Sequence, residues 1–426
     1  MARMHTMARK DKTMIIDGRE YNGLCTCGRE HVMVTEFSLI ESGALYKVKE
    51  YLKKFELNEK TVAVYDENTY KATKDRHPKT DYEVILSPDD LHANEHGVAL
   101  LEKELPEDAK VLIAVGSGTI HDITRYCAYT HEMDFVSCPT AASVDGFCSS
   151  VAAMTWHGAK KTLTAVAPKF VLADLDIIKA APLHLAKSGF GDMIGKYIAL
   201  TDWKIGHIIK GEYYCDRIAS MTQEATDAVL NSAEGIIKGE AEAFEKLMYG
   251  LLLSGLAMQM IGNSRPASGA EHHISHIIEM HPEGLGVSSD ALHGEKVGVG
   301  TLLAVKEYHR LANISHPSFA DYRTYSKEYI YEVFGETLTE EIVKENQNDS
   351  ATGITGKRME ECWNEICAEI AKIPSSELLE DLYRKLNVKM KLEDIQVSNE
   401  KEQSLLKYSP CVRNRLTLMR LRQCIN

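Results

Sequence analysis

What this chain has little of narrows it quickly. Proline is scarce, 11 in 426 residues, and no internal repeat or low-complexity tract interrupts an ordinary globular composition, 44% hydrophobic and 26% charged. A repeat array is thereby excluded. Excess positive charge is missing too: 49 Lys and Arg stand against 62 Asp and Glu, a net charge of −13. That balance argues against a general nucleic-acid binder or a partner of anionic membranes. A phosphorylated small molecule still fits, provided a local cluster of donors holds it. The longest apolar run, YGLLLSGLAMQM from Tyr249 to Met260, is too short for a membrane span and predicts a buried core helix. The basic start, MARMHTMARKDKTM, lacks the apolar segment of a secretory signal. Ten cysteines are scattered without a tight disulfide framework, so they read as reduced thiols of a cytoplasmic protein. Paired C-x2-C spacing is absent as well. CTCGREH sets Cys25, Cys27 and His31 close together, but no fourth ligand follows, and a turn with buried thiols is the plainer reading.

What is there comes in two halves. The length favours two domains. From about 40 to 185, apolar strand-like runs alternate with helical patterns: TVAVYD, YEVILS, KVLIAVG, DFVSCPT and KFVLAD. That alternation predicts a mainly parallel α/β sheet with ligands at the carboxyl ends of its strands. Beyond about 185 the strand signal disappears. Helices are expected over 191–208, 221–260, 294–311, 323–335, 357–372, 376–386 and 400–422. The expected division is therefore an α/β domain over 1–185 and an all-α domain over 186–426. KENQNDSATGITGK (344–357) reads as an exposed loop, and the basic SPCVRNRLTLMRLR near the end as a solvated helix face or subunit contact.

The sharpest local unit is VLIAVGSGTIHD. A buried strand, a Gly-rich turn and a helix follow one another, which aims the free N–H groups of a helix start at an anion such as a pyrophosphate. It is neither a full G-x-G-x-x-G fingerprint nor a P-loop, so a tight turn with no ligand is the competing reading. Asp66 ends an earlier strand, where an acid accepts from a ribose hydroxyl and repels a 2′-phosphate; that leans towards NAD over NADP. In PTAASVDGFCSS, Thr140, Ser143 and Ser149 are donors for phosphate or carboxamide. Asp145 suits a substrate hydroxyl, or else an Asx-turn with Gly146.

The stretch Ser264–Gly300 is the richest in histidine. His272 and His276 are four apart, on one helix face, Glu271 precedes them, and His293 opens LHGEKVGVGT. Upstream, Asp192 sits in SGFGDMIGK at an expected helix start. One Asp and two His from separate helix starts form a three-ligand metal set with an open position; the alternative is a solvated His-rich face.

Taken in order, GSGTIHD, PTAASVDG, GFGD, SRPASGAEHHISH and LHGEKVGVGT resemble the sn-glycerol-1-phosphate dehydrogenase family, bacterial type. That family lies within the iron-type alcohol dehydrogenase, glycerol dehydrogenase and dehydroquinate synthase-like superfamily. The likeness spans roughly residues 60 to 310. It implies an N-terminal α/β dinucleotide-binding domain and a C-terminal helical metal domain. It also implies metal ligands at Asp192, His272 and His293, with His273 the second choice to His272. Substrate contacts would fall on Asp145, Asp192 and His276, the last two being the catalytic pair. The cofactor, NAD(H) or NADP(H), would meet Asp66, Gly116, Ser117, Gly118, Thr119, Ile120, Thr140, Ala141, Ala142, Ser143 and Ser149. Arg265 and Lys161 are the phosphate candidates.

The activity so implied is metal-dependent interconversion of dihydroxyacetone phosphate and sn-glycerol 1-phosphate, in a cytoplasmic homodimer with no nucleic-acid partner. One divalent metal per subunit is expected, nickel or zinc, with iron a further candidate. The rivals are a glycerol or polyol dehydrogenase and a dehydroquinate synthase-type cyclase or lyase.

Overall fold

The computed structural model describes residues 13–157 and 159–426; the basic N-terminal stretch up to residue 12 lies outside the described residues. Among the described residues eleven strands occur, all before Leu175: β1 Met14–Asp17, β2 Gly23–Leu24, β3 Glu30–His31, β4 Phe37–Glu41, β5 Thr61–Asp66, β6 Tyr82–Leu86, β7 Val111–Gly116, β8 Asp134–Pro139, β9 Val151–Trp156, β10 Ala159–Thr164 and β11 Phe170–Asp174. The early helices are α1 Val48–Lys54, α2 Glu67–Thr73, α3 Glu95–Glu104, α4 Gly118–Thr130 and α5 Leu175–Ala180. From there, among the described residues, the chain is helical: α6 Leu183–Ile194, α7 Lys196–Lys210, α8 Asp216–Asn231, α9 Ala233–Ile237, α10 Ala241–Ile261, α11 Ala270–Glu279 and α12 His293–Ala312. It ends with α13 Lys327–Glu345, α14 Gly356–Ile370, α15 Ser376–Leu386, α16 Glu402–Tyr408 and α17 Leu418–Leu421.

Seven strands form one sheet in the order β1-β4-β11-β8-β7-β5-β6. All are parallel except β1, which runs antiparallel on the edge. β7 and β11 are buried along their whole length, as strands covered on both faces must be. The two-residue side-chain period sorts the apolar residues into two layers. Val62, Val64, Leu112 and Ala114 pack on one face with Ile120 and Ile123 of α4. Ala63, Tyr65, Ile113 and Val115 pack on the other with Val48 and Leu52 of α1. After β5 the chain pairs β6 on one side, then crosses to pair β7 on the other. Such a reversal opens a crevice beyond the strand ends. Asp66 and Gly116 stand at those two ends.

The chain divides into two compact units, and the division is interleaved where the sequence suggests a single cut at 185. Residues up to Gly189 join Asp227–Asn263, while Phe190–Thr226 joins Ser264–Asn426. The apolar run foreseen as a core helix is the second half of α10, which packs on β4 and α5 of the sheet unit. Among the described residues no helix is long and apolar enough to cross a membrane.

Two helical expectations need correction, and so does the reading of the basic tail. The span 221–260 is three helices, broken at Ser232 and Gly239–Glu240. α13 runs on past 335, to Glu345, with Gly335 at φ 67° taking up a kink. The segment 344–357 is exposed over much of its length, as expected, but it is pinned where Asp349, Ala351 and Ile354 are buried. Its partner is the basic C-terminal segment, which is not a solvated face. Arg420 is fully buried, pairs with Asp349 at 3.1 Å and donates to Asn346 at 2.9 Å and to the carbonyls of Pro410, Arg413 and Arg415. A guanidinium carries five donors, and here it ties the carbonyls of Pro410, Arg413 and Arg415 to Asn346 and Asp349.

Candidate active site

Asp192, His272 and His293, all in the helical unit, offer one ligand atom each within 4.8 Å of one another. Their approach rests on glycine. A Cβ on Gly191 would lie 2.3 Å from the carbonyl oxygen of Gly294 and 3.4 Å from Cα of Gly298. α6 and α12 thus cross with backbone against backbone, which sets Asp192 beside His293. The sequence reading took the glycines around Asp192 for a helix start. They are interior to α6, and Asp192 lies in its last turn, because here glycine serves close packing and not chain reversal. His272 and His293 do open α11 and α12. The carboxyl end of α6, with its partial negative charge, suits a cation.

Both histidines are held from behind. Glu271 accepts from His272 Nδ1 at 2.7 Å, and Glu279 accepts from His293 Nδ1 at 2.9 Å. A carboxylate at Nδ1 fixes the tautomer and leaves Nε2 as the donor atom for a metal. His272 Nε2 accordingly faces Asp192 Oδ1 at 3.6 Å. Burial disfavours the Asp192 anion, but the Lys196 ammonium 2.8 Å away, then His272 and His293, outweigh it and hold the carboxyl at about 2. Lys196 is fully buried and also donates to the Ala267 carbonyl at 3.0 Å. The sequence reading passed it over, although its i,i+4 spacing from Asp192 in GDMIGK was a signal. An anionic oxygen donor and two imidazole nitrogens, each fixed by an outer carboxylate, fit a divalent metal.

His276 sits one turn along α11, its ring 5.9 Å from that of His272 and 6.0 Å from that of His293. With Glu279 and His293 it forms a second, overlapping donor set. Burial pushes its pKa well below the usual value; Glu279 opposes this, while Arg413 and the two neighbouring imidazoles add to it. His273 is fully buried, and neither ring nitrogen meets a partner among the described residues. Of the two histidines, His272 is the one that shares the set with Asp192 and His293. Arg265 is committed elsewhere, paired with Glu212 through two nitrogens and donating to the Leu416 carbonyl at 2.8 Å. Arg413, dismissed with the basic tail, is the guanidinium whose charge falls on His276.

In the sheet unit, Gly116, Ser117, Gly118, Thr119 and Ile120 form the turn from β7 into α4. Gly116 is required by packing, since a Cβ would lie 2.5 Å from Cβ of Ile120; Gly118 is not, its nearest neighbour being Val144 at 3.5 Å. Ser117 makes no side-chain cap, so the first-turn N–H groups are left for an acceptor. Asp66 caps α2, its Oδ1 accepting from Asn68 N and Thr69 N at 2.8 and 2.9 Å. Thr140, Ala141, Ala142 and Ser143 follow β8 and are buried, with Thr140 N donating to the Gly116 carbonyl at 2.9 Å. Ser149 Oγ accepts from Val151 N at 3.1 Å. Asp145 forms no Asx-turn cap; its Oδ2 accepts from Ser254 on α10 at 2.7 Å. Lys161 lies on β10. The sequence reading missed Arg125. Fully buried on α4, it donates to the carbonyls of Phe147, Ser149 and Val151 and shapes the loop that carries Ser149.

A family model described as iron-containing alcohol dehydrogenase matches residues 39–182. A glycerol-1-phosphate dehydrogenase [NAD(P)+] of Bacillus licheniformis is 38% identical over 69% of this chain and 75% of its own length. One of Pyrococcus horikoshii is 34% identical over 62% of this chain and 76% of its own. Among solved structures, a probable glycerol dehydrogenase of Sinorhizobium meliloti aligns at TM-score 0.61 and 19% identity, covering 90% of each chain. The NADH-dependent butanol dehydrogenase A of Thermotoga maritima aligns at TM-score 0.60 and 13% identity, covering 93% and 94%. A parallel-sheet unit with a helical unit is the fold of the iron-containing alcohol dehydrogenases. Within that class, this chain belongs to the glycerol-1-phosphate dehydrogenase family.

Proposed function

We propose that the chain reduces dihydroxyacetone phosphate reversibly to sn-glycerol 1-phosphate with NADH or NADPH. The observation that carries this reading is the Asp192, His272 and His293 set, backed by Glu271 and Glu279, in a chain related to glycerol-1-phosphate dehydrogenases. In the reaction, hydride passes from the nicotinamide to the carbonyl carbon and a proton to the carbonyl oxygen. A divalent metal, when bound by these three side chains, supplies Lewis-acid polarisation of the ketone. With no thiolate in the set, nickel or zinc is the proposed ion.

The chain's own groups have separable tasks. Asp192 and the two Nε2 atoms bind the metal, and Glu271 and Glu279 keep those atoms unprotonated. His276, held neutral, hydrogen-bonds a substrate hydroxyl. Arg413, close enough to depress the His276 pKa, is the proposed phosphate partner; Arg is geometrically suited to phosphate. Arg413→Ala should raise KM for dihydroxyacetone phosphate and leave KM for NADH unchanged; an unchanged substrate KM rejects the assignment. In the sheet unit, the α4 start would take the pyrophosphate, Asp66 a ribose hydroxyl, and Thr140, Ser143 and Ser149 the remaining polar groups. The reading extends to Asp145 as a substrate contact and to a homodimer working in the cytoplasm.

The test is NADH oxidation with dihydroxyacetone phosphate by chelator-stripped protein, with nickel, zinc and iron restored singly. Turnover should return with one of them and be absent in His272→Ala. Tight NADH binding with no turnover under any metal would reject the reductase reading.

A further inference from the structure

The geometry points to a second metal site in the sheet unit, away from the Asp192 set: Cys25, Cys27 and His31 bind a zinc ion that staples the β2–β3 hairpin to the end of α10.

The three side chains offer ligand atoms within 4.8 Å of one another. Cys27 Sγ lies 3.5 Å from His31 Nε2. His31 Nδ1 lies 2.8 Å from the Met260 carbonyl oxygen. A carbonyl only accepts, so Nδ1 carries the hydrogen and Nε2, the atom turned to the sulfur, carries the lone pair. That is the outer hydrogen bond which orients a metal-binding imidazole. The turn is built to converge. Gly28, at φ 84°, closes it with Gly28 N donating to the Cys25 carbonyl and Cys25 N to the Arg29 carbonyl, both at 2.9 Å. His31 then pairs with Gly23 across the hairpin.

The hairpin is small. Each strand is two residues long and the pair stands outside the main sheet; a lone hairpin of this size is marginal in water. Its apolar side chains do not fill the gap, since Leu24 is 82% exposed and Val32 67%. The inward residues are Cys25, His31 and Met33. Two thiols and an imidazole brought together in one small hairpin supply three of the four ligands of a structural zinc, and soft sulfur with imidazole nitrogen selects zinc. On binding, each thiol releases its proton to solvent and the thiolate becomes the ligand.

The experiment uses the full-length His272→Ala variant, purified from zinc-supplemented medium, so that the Asp192 set is impaired. Metal analysis should find close to one zinc per chain, and X-ray absorption at the zinc edge should show at least two sulfur neighbours. The Asp192 set has no sulfur, so this signature separates the two sites. A third sulfur would add a thiolate from elsewhere in the chain and still support the assignment. Zinc surrounded by nitrogen and oxygen alone, or no zinc, overturns it. Independently, Cys25→Ser/Cys27→Ser in the otherwise unaltered chain should lose one of two metal equivalents and keep its turnover per remaining metal. The absorption spectrum of the unaltered protein supplies the same sulfur count if that variant does not fold. This inference stands whether or not the proposed reaction is correct, because neither readout depends on dihydroxyacetone phosphate being the substrate.

Discussion

Glu271 Oε1 accepts from His272 Nδ1 at 2.7 Å and from the backbone N–H of Gly269 at 2.8 Å. One oxygen thereby fixes both the start of α11 and the tautomer of a proposed metal ligand. Glu271→Gln keeps the shape and removes the charge that makes His272 a better donor. Loss of such an outer partner weakens metal binding about 10- to 100-fold. Chelator competition measures it, and an affinity equal to that of the unaltered chain would count against the role given to Glu271.

Gly191 permits α6 and α12 to touch through backbone alone. In Gly191→Ala the new methyl meets the Gly294 carbonyl, and overpacking of this kind costs about 1–3 kcal/mol. The thermal midpoint should fall and metal content with it, since Asp192 and His293 are displaced from each other. A variant with unchanged midpoint and full metal content would show that the crossing is not what sets the ligand spacing.

Asp66 bears on cofactor choice. Ser is as good a cap as Asp, so Asp66→Ser leaves α2 intact while removing an anion from the proposed ribose site. The KM ratio of NADPH to NADH should fall by about tenfold, some 1.4 kcal/mol in binding. No change in that ratio would place the ribose elsewhere.

His121 makes the sheet unit acid-sensitive. It is fully buried, with Nδ1 3.0 Å from the Ser117 carbonyl and Nε2 2.8 Å from Ser137 Oγ. Burial, aided by the Arg125 charge and opposed by the Ser117 carbonyl, brings its pKa from 6.5 to about 3. Below pH 6.5 the unfolded chain takes up a proton that the folded one refuses, so stability present above 6.5 drains away as pH falls towards 3. By pH 5 the loss from this group is about 2 kcal/mol. His121→Gln should flatten the decline in urea midpoint between pH 7 and pH 5. Parallel declines in the two proteins would remove His121 as the cause.

The sheet was readable in the sequence because its signals are local: VLIAVGSGTI carries strand, turn and helix within ten residues, and β7 and α4 fall on it. The Asp192, His272 and His293 set was readable as residues, through resemblance and the i,i+4 histidines, but its support was not. Whether the glycines beside Asp192 stop a helix or let two helices touch depends on Gly294, a hundred residues away. Separation along the chain hid Arg420 as well. Polar and basic stretches look solvated unless one knows that Asp349 and Arg420 neutralise each other inside the fold. Arg413 was lost for that reason too.

The ion pairs around the metal set have a consequence for the order of binding. Asp192, Glu271 and Glu279 bring three carboxylates, while Lys196 and Lys296, at 2.8 and 3.3 Å from Asp192 and Glu279, bring two ammoniums. With Arg413, whose charge falls on His276, the side chains alone balance and offer an anion no net attraction. Two positive charges added there would make the cluster net positive. A phosphorylated substrate would then be drawn more strongly to subunits already loaded with metal, so that the resting charge of the site favours productive encounters.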